Sequence, residues 1–399
     1  MDDTAQSESP SPLSPATLGP LRLRNHIVKA ATFEGATPKG EVTDRLVAFH
    51  RAVAEGGAAM STVAYLAVSP EGRTDRHCLL ATDATCDGLR RVTDAVHAAG
   101  AAASVQLGHA GPVANPRSNK MAALAPSSGF TPLGGRLKAM DDEALRRVVH
   151  DYRAAARRAV GAGFDAIELH LGHNYLLSAF LSPKLNRRRD RFGGSLENRA
   201  RFPREVARAV REAAGDKVAV TAKFNMADGV PGGLWLDESV TVARWLQDDG
   251  ALDALTLTGG SSLSNPMYLF RGEAPRREFA ATLPAVARLG FKAVGRRFLV
   301  DYPYEEAFFL PYARQFRRTL ELPLVLLGGI SRLDTAQAAL DEGFALVAMA
   351  RALLRQPDLV EHWRRGDGEP SLCVHCNRCM PTIYSGTRCV LVDTEAPGR

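Results

Sequence analysis

The chain has 399 residues, of which 45% are hydrophobic and 24% charged, with a net charge of +6, 35 glycines and 6 cysteines. No uninterrupted apolar run reaches the ~20 residues of a membrane-crossing helix, so a soluble globular protein is expected, with no membrane partner. The basic excess sits in arginine-rich stretches such as 146–158 and 199–211, interleaved with alanine, valine and carboxylates as on solvated helix faces. No basic stripe joins a base-reading motif, which excludes nucleic acid as the expected partner.

Residues 1–15 are rich in serine, proline and acids and lack the basic start and apolar core of a secretory leader. They read as a disordered tail, and a cytoplasmic location is expected. Beyond them, apolar runs of strand length alternate with amphipathic helical stretches. The period predicts strands over 26–33, 58–68, 101–107, 166–170, 217–224, 254–258, 322–327 and 345–349. Helices are expected over 43–55, 87–98, 141–162, 195–214, 237–248, 305–320, 332–342 and 357–365, two of them opening on acid-rich first turns at Asp141 and Ser195. These βα repeats predict an α/β fold, a (β/α)8 TIM barrel over 16–366; no Gly-x-Gly-x-x-Gly turn follows the first strand, as a dinucleotide-binding open sheet requires.

A barrel gathers the C-terminal ends of its strands on one face, which brings Gln106, His170, Lys223, Thr258, Gly328 and Met349 together. The stretch 260–304 is too long for an ordinary connection and is expected as a loop over that face. Its Tyr268, Phe270, Arg271, Arg276 and Arg277 would shape a substrate pocket or hold an anionic handle, or else serve an oligomer contact or plain packing, so quaternary state stays open between monomer and homo-oligomer.

Strand alternation puts Ala166, Glu168 and His170 on one face and aims His170 into the mouth, with His173 and Tyr175 following directly. Two imidazole donors suit an oxygen on which negative charge develops, and the phenol suits proton delivery. Gly328-Gly329-Ile330 and Ala348-Met349-Ala350-Arg351 each precede a helix, where backbone amides and Arg351 suit a phosphate dianion. Cys373, Cys376, Cys379 and Cys389 crowd into a C-terminal extension, 367–399, a spacing that suggests a metal or cluster site before disulfides, while Cys78 and Cys86 read as ordinary thiols.

Several ordered segments then resemble the Old Yellow Enzyme family over residues 16–365. They are Leu23-Arg24-Asn25-His26-Ile27-Val28, Ser69-Pro70-Glu71-Gly72-Arg73, Gln106-Leu107-Gly108-His109-Ala110-Gly111, Glu168-Leu169-His170, Tyr175 through Pro183, and Asp190 through Arg199. The resemblance implies a non-covalent FMN lying across the mouth, with Gln106 at its pyrimidine edge, Lys223 at N1 and O2, backbone near Ala31, Thr32 and Tyr65 lining it, and Gly328, Gly329, Ala350 and Arg351 at its phosphate. It further implies NADH or NADPH as hydride donor and a small-molecule acceptor, an α,β-unsaturated carbonyl held by His170 and His173 and protonated by Tyr175. Departures from the family pattern are Lys223 for arginine, Ala31 for proline, Phe33 for cysteine or threonine, Pro112 for arginine, Asn174 for glycine and Ala350 for glycine.

The segment Cys373-Val374-His375-Cys376-Asn377-Arg378-Cys379, with Cys389 ten residues on, is similar to that of dienoyl-CoA reductase and trimethylamine dehydrogenase relatives and implies a [4Fe-4S] cluster, with structural zinc as the alternative and His375 a spare ligand. Two other functions stay open on these residues. One is an iron-sulfur-linked dehydrogenase or demethylase serving an external electron carrier; the other is a flavin-free barrel that binds a ligand or partner through 260–304.

Overall fold

The computed structural model describes residues 9–131 and 135–395. Its centre is a closed barrel of eight parallel strands, each paired with the next and the last with the first. In chain order these are β1 (Ile27–Lys29), β2 (Met60–Ala67), β3 (Ala102–Gly108), β4 (Ala166–Leu171), β5 (Ala219–Asn225), β6 (Ala254–Thr258), β7 (Leu324–Leu327) and β8 (Leu346–Met349). Every expected strand is present. β1 is shorter than the apolar run 26–33, because residues from Ala31 onward leave the ladder and cross toward the mouth, where the Lys223 ammonium reaches Ala31 O at 3.0 Å.

The alternation along each strand sorts two cores. Ile167, Leu169 and Leu171 of β4 point outward and pack with Tyr152, Phe202 and Val206 of the helical layer. Ala166, Ala219, Ala254, Leu346 and Ala348 point inward, where they meet Leu18 and Leu23. Those two leucines come from an antiparallel hairpin, Ala16–Leu18 with Leu21–Leu23, that closes the floor of the barrel. Small residues at the inward positions leave room in the narrow interior for the longer polar side chains above them.

The helices begin where side chains satisfy their first amides: Asp141 accepts from Ala144 N–H ahead of Asp142–Gly161, and Ser195 accepts from Asn198 N–H ahead of Leu196–Ala214. The family-like segment after β4 is a brace. Asn186 donates to Phe180 O and Phe192 O at 2.7 and 2.8 Å, and buried Arg199 reaches Leu181 O, Gly194 O and the Glu238 carboxylate.

Two expectations change. The tail expected over 1–15 is held from Pro10 onward, since His26 N–H donates to Pro12 O at 2.9 Å, Gln337 donates to Pro10 O at 3.3 Å, and Leu13 packs on the core; residues 1–8 lie outside the described residues. Pairing the His26 amide there removes the cost of a buried orphan donor. The stretch 260–304 is helical in large part, with Met267–Phe270, Arg276–Thr282 and Ala285–Phe298. Phe270, Phe279, Phe291 and Phe298 gather around Met267, Leu299 and Met380, so the insert packs on the C-terminal extension.

Leu18 is 1% exposed in the barrel floor. Leu18→Ala is expected to cost about 2–5 kcal/mol, the range for leucine truncation in a core that cannot collapse, read as a lower urea midpoint; an unchanged midpoint would remove the hairpin from the core.

Candidate active site

The register of the barrel decides which polar side chains meet. Gln106 on β3 lies beside Glu168 on β4, and His170 on β4 lies beside Lys223 on β5. With alternate residues facing inward, Glu168 becomes the shared partner of its neighbours: Gln106 Nε2 donates to its Oε1 at 2.7 Å, and Lys223 Nζ stands 3.4 Å from the same oxygen. The Lys223 ammonium also holds Ala31 O, so a buried carboxylate, a buried cation and the backbone after β1 form one unit.

A second buried cation, Lys29 at the end of β1, was not singled out from the sequence. Its Nζ donates to Ala30 O at 2.7 Å and Thr32 Oγ at 2.9 Å, so two lysines support 30–32 from beneath. Burial pushes the Lys29 ammonium down to about 8, opposed by the nearby Glu34 carboxylate. Burial likewise pushes Glu34 up to about 8, against Lys29 and the Ala64 N–H that its carboxylate accepts at 3.0 Å. The signal for Lys29 was present: a cation inside Ile27-Val28-Lys29-Ala30-Ala31, an otherwise apolar strand.

The expected trio comes together. The Tyr175 ring stacks on His170 with centroids 4.1 Å apart, and His173 meets His170 edge to face at 5.2 Å. Gly172 N–H donates to His170 Nδ1 at 3.3 Å, which leaves the proton of the neutral ring on Nε2. His173 is placed by a left-handed turn, φ +58 there and +62 at Asn174, and its amide donates to Asn225 Oδ1 at 3.1 Å. Its Nε2 lies 3.0 Å from Thr258 Oγ, so this imidazole is tied to β6. Half-buried Tyr175 also touches Tyr65 edge to face at 5.8 Å, and Tyr65 donates to Gly72 O at 2.7 Å. Gly72 and Gly108 fit closely here: a Cβ on Gly72 would lie 2.8 Å from the His109 ring, and one on Gly108 would lie 2.8 Å from the Tyr65 ring. The segments 69–73 and 106–111 therefore position Tyr65 and, through it, Tyr175.

At the other side of the mouth, Gly328 and Gly329 adopt φ +111 and +77, and a Cβ on either would strike Phe309 or Phe308 at 2.5 or 2.6 Å. Ala350 stands at the entry to Arg351–Arg355. The Arg351 guanidinium turns to Phe270 O, Arg271 O and Asn377 Oδ1, joining the insert to the extension. It also lines one cavity with Cys373, Cys376, Cys379 and Cys389. Burial raises the Cys379 thiol to about 12 and also raises Cys373, with Arg351 pulling both down. Among the described residues no group of three or more His, Cys, Asp or Glu side chains is drawn together as a single-ion site.

The donor set at the mouth fits a flavin. An amide at Gln106, an ammonium at Lys223 and the imidazole of His170 suit the polar edge of a ring and its substrate, and the positive-φ glycine turn suits close approach of a phosphate. The four thiols around one cavity likewise fit a ligand with four corners.

Comparison with known proteins agrees with this architecture. A model of the NADH:flavin oxidoreductase / NADH oxidase family matches residues 13–256. A 4,4'-dithiodibutanoate disulfide reductase of Rhodococcus erythropolis is 59% identical over 98% of this chain and 98% of its own length. A metal reductase of Desulforamulus reducens is 32% identical over 93% of this chain, which spans only 51% of that protein. An old yellow enzyme homologue from Zymomonas mobilis superposes with a TM-score of 0.72, covering 98% of this chain and 100% of its own, at 22% identity, a likeness of fold.

Burial, then Lys223, lowers His173 to about 3, and burial, then His173 and Lys223, holds His170 well below the imidazole range. Both rings are neutral at pH 7. The unfolded chain, with imidazoles at 6.5, takes up protons before the folded one, so this contribution to stability is full above about 6.5 and is lost as pH falls toward 3. Tm is expected to fall through that window, and to fall less steeply in His173→Asn; an identical slope in the variant would contradict the neutral buried imidazole.

Proposed function

The chain belongs to the NADH:flavin oxidoreductase / NADH oxidase family, the Old Yellow Enzyme family, and is an FMN-dependent NAD(P)H oxidoreductase; from that premise we propose that its acceptor is a small organic disulfide. The observation that carries this is the 59% identity, over nearly the whole of both chains, to a reductase of 4,4'-dithiodibutanoate. The balance is RSSR + NAD(P)H + H⁺ giving two RSH and NAD(P)⁺: the S–S bond breaks and two electrons arrive as hydride. FMN, when bound, supplies the relay of that hydride between nicotinamide and acceptor.

Gln106, Lys223, the backbone of Ala31 and Thr32, Tyr65, and the turns at Gly328, Gly329, Ala350 and Arg351 would hold the cofactor. The work of the chain's own residues is then orientation and proton supply. His170, neutral with its Nε2 proton free of the Gly172 contact, donates a hydrogen bond to the departing sulfur. Tyr175, stacked on that imidazole, fixes the plane of the ring. Thr258 and Asn225 hold His173 in its turn.

A second acceptor is favoured by the His170–Tyr175 stack itself: an activated alkene, whose carbonyl His170 and His173 would bind and whose α-carbon Tyr175 would protonate. The two differ in what they need from the phenol. A thiolate with an ordinary pKa near ~8.5 departs without full protonation, whereas a carbon must receive its proton. Tyr175→Phe is therefore expected to slow alkene reduction about 100-fold while leaving disulfide reduction within about 3-fold, measured as NAD(P)H consumption with each acceptor. Equal slowing of both would contradict the assigned role.

We also propose that residues 367–399 form a cluster-binding extension on the barrel, with Cys373, Cys376, Cys379 and Cys389 as ligands of a [4Fe-4S] cluster. Their shared cavity on the barrel supports this reading, since four thiolates around one space suit the four corners of a cube. Protein purified without oxygen is expected to carry iron and acid-labile sulfide in equal amounts, both lost in Cys376→Ser; zinc in their place would overturn the assignment.

A further inference from the structure

Arg271 closes the short helix Met267–Phe270 with φ +51, and its guanidinium lies over the rings of Tyr302, Tyr268 and Phe308 at 4.4, 4.6 and 5.8 Å. Its Nε is buried without an acceptor, and among the described residues no carboxylate pairs with it. Its neighbours are treated differently: Arg276 reaches Asp301 at 2.6 Å, and Arg378 stands 3.4 Å from Glu278. A guanidinium held by ring faces keeps its edge donors for an anion, and a cation kept partly from water without one is costly. Its planar fork matches the two oxygens of a carboxylate or phosphate.

The cage is fastened to the active site at both ends. Ser262 N–H donates to His173 O at 3.1 Å, and Asn265 Nδ2 donates to Tyr302 OH at 2.7 Å, so the ring under Arg271 is connected to the catalytic turn. On the other side Phe308 lies against Gly328 and Gly329, at 3.0 and 2.6 Å from where their Cβ atoms would stand, and Arg271 O accepts from Arg351 at 3.3 Å. Arg271 is thus linked through its ring cage to the turn that carries His173 and to the Gly328–Gly329 turn.

We propose that Arg271 is the oxyanion-binding residue of the barrel mouth, taking either a carboxylate of an anionic disulfide substrate or the phosphate of the flavin. The inference rests on the oxidoreductase reading given above and names the chemistry that the insert adds to it. The caged cation favours acceptors that carry a carboxylate a few bonds from the sulfur over neutral disulfides of the same size.

The test uses the full chain, reconstituted with FMN, and the variants Arg271→Gln and Arg271→Lys, each checked for a wild-type melting profile. Three quantities are measured: the FMN Kd of stripped protein by fluorescence quenching, KM for 4,4'-dithiodibutanoate, and KM for bis(2-hydroxyethyl) disulfide. If the anion is the substrate carboxylate, Arg271→Gln raises KM for the dianion about 10-fold or more, leaves the neutral disulfide and FMN within about 2-fold, and Arg271→Lys recovers part of the loss. If it is the flavin phosphate, FMN Kd rises about 10-fold while the ratio of the two KM values stays unchanged. All three quantities unchanged, or KM raised equally for charged and neutral disulfides at constant FMN Kd, would overturn the proposal. A wild-type protein that binds no FMN and oxidises no NAD(P)H would instead count against the oxidoreductase reading.

Discussion

The carboxylate of Glu168, buried on β4, is the interaction on which the mouth depends. It receives the Gln106 amide and faces the Lys223 ammonium, and Lys223 in turn holds Ala31 O. Three strands and the segment after a fourth are oriented by one charge. Taking one partner from a buried ion pair leaves the other uncompensated, at a cost of about 3–5 kcal/mol, so the arrangement is stable only when complete. The parallel register supplies it without adjustment, because Gln106 opposite Glu168 and Lys223 opposite His170 follow from the same pairing that closes the barrel.

Lys29 and Glu34 extend this logic to the other side of residues 30–32. Both are buried, each is shifted toward its neutral form by that burial, and each lessens the shift of the other. The backbone of residues 30–32 therefore rests on two ammonium groups. The substitution of Ala31 for proline is easier to understand in this setting: the conformation that a ring would impose locally is here supported by hydrogen bonds from Lys29 and Lys223.

Period-two alternation made the barrel and the His170, His173 and Tyr175 grouping legible in the sequence, since a strand end fixes both direction and place. The orientation of each ring was not legible. That His173 leans on Thr258 depends on a left-handed turn set by Asn225 on another strand. Arg351 could be placed at the start of a helix, but its direction is set by Asn377 and by carbonyls of the insert, contacts far apart in the chain. The helices within 260–304 are not legible in the sequence because their apolar faces carry phenylalanines spaced among arginines, a pattern that also fits a pocket-lining loop. Four cysteines pointed to a metal or cluster from spacing alone; their common cavity needed the fold.

The most direct measurement of the central claim is FMN affinity of stripped wild-type and Glu168→Gln protein, with circular dichroism to verify the barrel. With Lys223 and Gln106 released from their shared partner, FMN Kd is expected to rise at least about 10-fold on an intact fold. Equal FMN affinity in the two proteins would contradict the view that this buried carboxylate organises the site.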